Sequence, residues 1–268
     1  AAFNEAETIL TESPYCVCEL AQVWYSRART LVRQTVYLDA MQWTRRSRVI
    51  FDAAKEVRMS ALARLLEGAI LYETGNPADA ERLLRATLDP LEQVKDRASL
   101  AFVWLDIGRC NIDLGEPKAA RTWLDKARSA FSKIGMRSEV IRADWCLAWL
   151  RALHEDVSGG LELLYKARRD FDELAMPSEA ALVGLDVVEV LLLNDFDDAA
   201  AKAAHVCRTI IKSFDRRGET ANAHRAIADL REAVQRGAAD QDAVRDVKRF
   251  LRRWITNPDA VFEPTQSN

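Results

Sequence analysis

Small side chains recur every 40 residues in this chain, and that spacing restricts its fold more than any other feature of the sequence. Ala28, Gly68, Gly108 and Ala148 form one column (28, 68, 108, 148), with the bulkier Val188 next in line. Ala40, Ala80, Ala120, Gly160 and Ala200 form a second, and Ser47, Thr87, Ala127, Ala167 and Cys207 a third. Larger apolar residues accompany them, as Leu84, Leu124 and Leu164 and as Phe51, Leu91, Phe131, Phe171 and Ile211. Small residues let two helices approach closely, and the larger ones fill the volume that is left. The best-formed stretch is 101–131. Trp104, Ile107 and Gly108 sit on one helix, Gly115, Glu116 and Pro117 make the turn, and Ala120, Leu124 and Ala127 line a second helix. A fixed period of tens of residues marks a solenoid, because one helix pair cannot bury its apolar face until its neighbour stacks on it.

The residues of that stretch, together with Gly68, Gly75, Ala80 and Leu84 in the unit before it, resemble the tetratricopeptide repeat family. The sequence departs from that family in its period, 40 against about 34, which helices longer by about a turn and a half would absorb. It also lacks the proline that usually closes the second helix, with Asp52, Glu92, Ser132, Asp172 and Lys212 in those places. The resemblance implies an all-α, right-handed superhelical solenoid of antiparallel helix pairs. Residues 1–13 are expected to be the end of a truncated preceding repeat. Residues 14–256 hold five units plus a divergent capping unit, and 257–268 a disordered tail.

Punctuation supports the boundaries. Gly75 with Pro77, and Gly115 with Pro117, place glycine past one helix end and proline in the first turn of the next. Helices are expected at about Cys16 to Gln34, Leu38 to Val57, Met59 to Glu73 and Pro77 to Lys95. Gly135 closes the third unit, and Ser158, Gly159 and Gly160 are expected to form the turn of the fourth. Asn194, Asp195 and Phe196 are expected to form the turn of the fifth, after a start at Ser13 and Pro14 for the first. The last two helices are expected at about Glu219 to Arg236 and Gln241 to Ile255, as a polar cap.

Composition narrows the function classes. Net charge is −3, from 38 basic against 41 acidic residues, which makes no general case for nucleic acid or membrane as a partner. No apolar run approaches the ~20 residues that span a bilayer. Five cysteines, at 16, 18, 110, 146 and 207, read as reduced thiols of a cytoplasmic protein. Cys16 and Cys18 have no second pair nearby to complete a four-ligand zinc site. His154, in an expected turn, His205, inside a helix, and His224 have no ligand partner at helical spacing. No nucleophile, acid or base recurs at a reactive spacing, so an enzyme is the least supported class, and no cofactor or metal is expected. Arginine clusters at Arg45, Arg46 and Arg48, at Arg168 and Arg169, at Arg216 and Arg217, and around Lys248 read as a solvated face of the second helices.

The first helices offer the best candidate site, since in the resembling family they line the concave surface. Residues beside the small column collect Tyr25, Arg29, Arg33, Tyr72, Phe102, Arg109, Arg142, Trp145 and Trp149 into one stripe. Arginines and aromatics on one face suit a protein or peptide partner that is acidic and carries apolar anchors. The competing reading is that Leu65, Leu105 and Trp145 pack between units. The units also resemble the arrays of bacterial transcriptional or anti-sigma-type regulators, which implies the interaction part of a larger protein. The alternative is a self-associating scaffold, joined through Phe3, Ile9 and Leu10 or through the last helix pair.

Overall fold

The structure is a computed structural model that describes residues 3–5, 16–194, 196–215, 221–255, 260 and 262. Ile9, Leu10, the Ser13–Pro14 turn, Asp195, the pair Arg216 and Arg217, and all of 257–268 except 260 and 262 lie outside the described residues.

Among the described residues the fold is all-α, with thirteen helices packed in sequence. They are α1 (Val17–Arg33), α2 (Tyr37–Ala53), α3 (Val57–Glu73), α4 (Pro77–Arg85), α5 (Leu88–Gln93), α6 (Arg97–Asp113) and α7 (Pro117–Lys133). Then follow α8 (Arg137–His154), α9 (Val157–Glu173), α10 (Pro177–Leu193), α11 (Ala199–Asp215), α12 (Ala221–Gln235) and α13 (Gln241–Trp254). The chain divides into two compact units, Ala1–Ala143 and Asp144–Asn268, with the boundary inside α8.

Helix starts fall 20 residues apart, at 17, 37, 57, 77, 97, 117, 137, 157 and 177, so the 40-residue period is two equal halves. The cause is a closing motif. After α1, the N–H of Thr35 donates to Val32 O and that of Val36 to Leu31 O, at 3.0 and 2.9 Å. This is the paired closure in which a left-handed residue satisfies the last helical carbonyls. It recurs at Lys55, Gly75, Lys95, Gly115, Gly135, Ala175 and Gly237, with φ between 55° and 82°. Only half of these positions are glycine. Thr35, Lys55, Lys95 and Ala175 hold the same backbone with a Cβ, which is why glycine spacing does not reveal them.

Two departures from the expected helices have local causes. The helix expected over Pro77 to Lys95 is broken between α4 and α5. Pro90 has no N–H for the carbonyl of Ala86, four residues back, and its ring crowds that carbonyl. The Thr87 hydroxyl donates to Leu84 O at 2.6 Å across the break. In the fourth repeat Ser158, Gly159 and Gly160 are the first turn of α9 rather than a loop. Asp156 caps that helix by accepting from the Gly159 N–H at 3.0 Å, so His154 ends α8 instead of lying in the turn.

The small columns do bring helices together. A Cβ on Gly108 would stand 2.7 Å from Leu124, and one on Gly68 2.7 Å from Leu84. Phe51, Leu91, Phe131 and Phe171 are fully buried behind them. The second column fails at its last member. α11 begins at Ala199 and Ala200, in its first turn, is exposed, while Ala204, Cys207 and Ile211 further along keep their columns and are buried. In the second unit α10 packs on α9, α11 and α13, and α12 joins α11 to α13. α13 thus closes a ring of four and buries Val244, Val247, Phe250, Leu251 and Trp254, while Asp242, Arg245, Arg249, Arg252 and Arg253 lie exposed on its other side.

The closing motif makes a direct prediction. Thr35→Gly relieves a β-branched residue of left-handed strain, and is expected to raise unfolding stability by about 1 kcal/mol in urea titration. Gly115→Thr is expected to lower it by a similar amount.

Candidate functional site on the first helices

In the unit Ala1–Ala143, Arg109 of α6 is the centre of a charged cluster. Its Nη2 donates to Glu73 of α3 at 2.8 Å and its Nη1 to Asp106 at 3.2 Å. Its guanidinium carbon lies 4.2 Å from the ring centroid of Tyr72. A planar cation laid on an aromatic face and gripped by two carboxylates is held in one orientation. Burial pushes the Asp106 carboxyl above the usual range, although Arg109 pulls it down; Glu73 pushes it further up and Arg142 pulls it down. Arg142 pairs with Glu139 at 3.4 Å. The stripe's other members in this unit are placed differently. Arg29 lies 5.9 Å from the Tyr25 ring and is exposed, as is Arg33. Phe102 is half-buried and meets Phe131 of α7 edge-on at 5.1 Å.

The unit Asp144–Asn268 holds Trp145 and Trp149, on α8. Trp145 packs edge-on against Phe171, and its Nε1–H donates to Asp186 of α10 at 2.5 Å. Lys248 of α13 ion-pairs with both Asp186 and Glu189, and its Nζ lies 4.9 Å from the Trp149 ring. Arg245 reaches Glu189 at 3.3 Å. Asp186 is 9% exposed and Glu189 3%, so both charges depend on these partners. Removing one partner of such a buried set costs about 3–5 kcal/mol. Two of the stripe's aromatic residues therefore lie at a site already filled by the chain's own last helix.

Sequence reading missed Glu73, Asp106, Asp186 and Glu189. The signal for the last two was present: Asp186 and Glu189 are the only charges in the apolar run from Ala180 to Leu193. The basic clusters also differ from a uniformly solvated face. Arg45 and Arg48 hold the buried Glu67 at 2.7 and 3.2 Å, Arg168 donates to Thr209 at 2.7 Å, and Lys248 is half-buried against Asp186 and Glu189.

Other chemistry-bearing side chains are placed as follows. Burial pushes the thiols of Cys110 and Cys207 up to about 12, which leaves them protonated and unreactive near neutrality. His154 and His205 are exposed. Among the described residues no group of three or more His, Cys, Asp or Glu could hold a metal ion, and no helix is long and apolar enough to cross a membrane.

The raised Asp106 carboxyl gives a pH test. Its folded state holds a proton more tightly than the unfolded chain does, so Asp106 costs stability as pH rises above about 4. Asp106→Asn removes that dependence. The difference in melting temperature between variant and wild type is expected to move in the variant's favour from pH 4 to 7, by calorimetry.

No protein-family model matches the chain, and no curated protein matches it. Solved structures do match. The apo form of RapI superposes with a TM-score of 0.66 at 16% identity, covering 96% of this chain and 89% of that one. A Rap protein complexed with Competence and Sporulation Factor gives 0.56 at 14% identity, over 84% of this chain and 66% of that one. Aspartyl phosphate phosphatase F from Bacillus subtilis gives 0.60 at 12% identity, over 97% and 67%. At these identities the likeness is one of fold: the chain has the tetratricopeptide-like helical-repeat fold found in Rap proteins.

Proposed function

We propose that the chain is a protein- or peptide-binding scaffold, the interaction part of a larger bacterial regulator, and that its partner meets the Tyr72–Glu73–Asp106–Arg109 cluster. The observation that carries this reading is the pre-positioned guanidinium of Arg109, half-exposed and laid on Tyr72. A carboxylate of the partner would exchange with Glu73 for the guanidinium, while an apolar anchor would extend the Tyr72 surface. Exchange of one carboxylate for another keeps the cation paired, and the carboxylate released is Glu73, at the C-terminal end of α3 and partly exposed. One protein of this fold is complexed with a factor, which agrees with a binding role. Another is a phosphatase, so fold alone does not separate binding from catalysis. Ion-paired carboxylates beside an arginine favour recognition over nucleophilic chemistry.

A displayed library of short random peptides, selected on the full 268-residue chain, tests the reading. Peptides with a carboxylate next to an apolar residue are expected to be enriched. Arg109→Gln is expected to weaken their binding about tenfold or more, in line with loss of a charged hydrogen bond. Unchanged affinity for Arg109→Gln and for Tyr72→Ala would remove this cluster as the contact.

A further inference from the structure

We propose that the acidic pair Asp186 and Glu189, with Trp149, is a receptor for a lysine-bearing amphipathic helix, which α13 fills in cis and a partner protein carrying such a helix fills in trans. This site and its ligand chemistry are separate from the Arg109 cluster, and opposite to it in charge.

The argument begins with where α13 sits. Contacts beyond immediate neighbours in the first unit join first helices of adjacent repeats, as α1 with α3 and α3 with α6, whereas α13, the second helix of its pair, packs on the first helix α10 as well as on its neighbour α12. Its polar anchors reach residues far back in sequence: Arg245 pairs with Glu189, and Lys248 with both Asp186 and Glu189. α10 and α8 are the first helices of their repeats, the class that carries the Arg109 cluster in the other unit. α13 therefore occupies the kind of surface on which a ligand is expected.

The site is built around an ammonium. Two carboxylates converge on Lys248 Nζ, the Trp149 ring lies 4.9 Å away, and the Trp145 indole N–H orients Asp186 from the other side. An apolar core side chain would complete α10 equally well, so the two buried charges are not needed for packing. They do make the occupant specific: a helix without a cation at that position leaves two carboxylates stranded. α13 meets the requirement with Lys248 between Val247 and the apolar pair Phe250 and Leu251.

Exchange is physically accessible because an incoming helix buries the same surface that α13 leaves. What the cis helix adds is tethering, by the five residues 236–240, with Gly237 in the left-handed region. A short tether acts as an effective concentration on the order of mM, which a partner of matched sequence must outcompete. Weakening the cis anchor should then reveal binding in trans.

The probe is a fluorescent synthetic peptide of residues 241–254, added to the full chain. Anisotropy is expected to show binding at least tenfold tighter to Lys248→Met than to wild type. The same peptide with lysine replaced by methionine is expected to lose that gain, as is the triple variant Lys248→Met, Asp186→Asn, Glu189→Gln. Equal binding to wild type and Lys248→Met, or equal binding of the two peptides, would overturn the proposal. If Lys248→Met fails to fold by circular dichroism, hydrogen exchange on wild type decides. Amides of 241–254 are expected to exchange faster than those of α10, and faster still with excess peptide. Equal protection of the two helices, unmoved by peptide, would overturn it as well.

Discussion

Closure of each helix after the same number of residues is the constraint on which the rest of this structure depends. A helix of 17 residues is about 25 Å long. Because most helices share that length and a three-residue connection, equivalent residues of neighbouring repeats within a unit return to equivalent heights. Gly108 can meet Leu124, and Gly68 Leu84, only because their helices begin in step. The left-handed closing residue sets that step. It satisfies the last carbonyls of one helix and aims the chain at the first turn of the next. Where a helix starts late the effect stays local: α11 begins two residues late and Ala200 in its first turn is exposed, but Cys207 and Ile211 keep their places in the core.

Charge distribution on the first helices gives the two units different chemistry on related surfaces. In Ala1–Ala143 a cation is central, with Glu73 and Asp106 gathered around Arg109. In Asp144–Asn268 the acids belong to the array and the cations come from α13. Both arrangements rest on the same economy of buried charge, since a charge removed from water must meet its opposite or strand. Under the proposed reading, partners are recognised by exchange of ion pairs rather than by open, unpaired charge.

Much of the fold was legible because it is periodic. The columns through Gly108, Ala120, Ala127 and Phe131 name the buried face of the helices from α1 to α10, and on α11 they hold at Cys207 and Ile211 but not at Ala200. What escaped was aperiodic. Lys55 and Lys95 close helices with no glycine to mark them, and Pro90 breaks a helix four residues before itself. Asp156 caps α9 in a stretch whose two glycines suggested a loop. Each is a local hydrogen-bond event that composition does not encode.

The candidate site shows the same division more sharply. Sequence spacing could place Tyr72, Arg109, Trp145 and Trp149 on first helices, because helical period depends only on neighbours along the chain. It could not say that Glu73 and Asp106 grip Arg109, or that Lys248 reaches Asp186 from 62 residues away (248 − 186). Those contacts depend on where separate helices lie in space. The sequence by itself determined the repeat, its small-residue seams and the helices that carry the charges. Tertiary structure alone decided which charges meet, because a buried ion pair is a property of two surfaces brought together and of neither one alone.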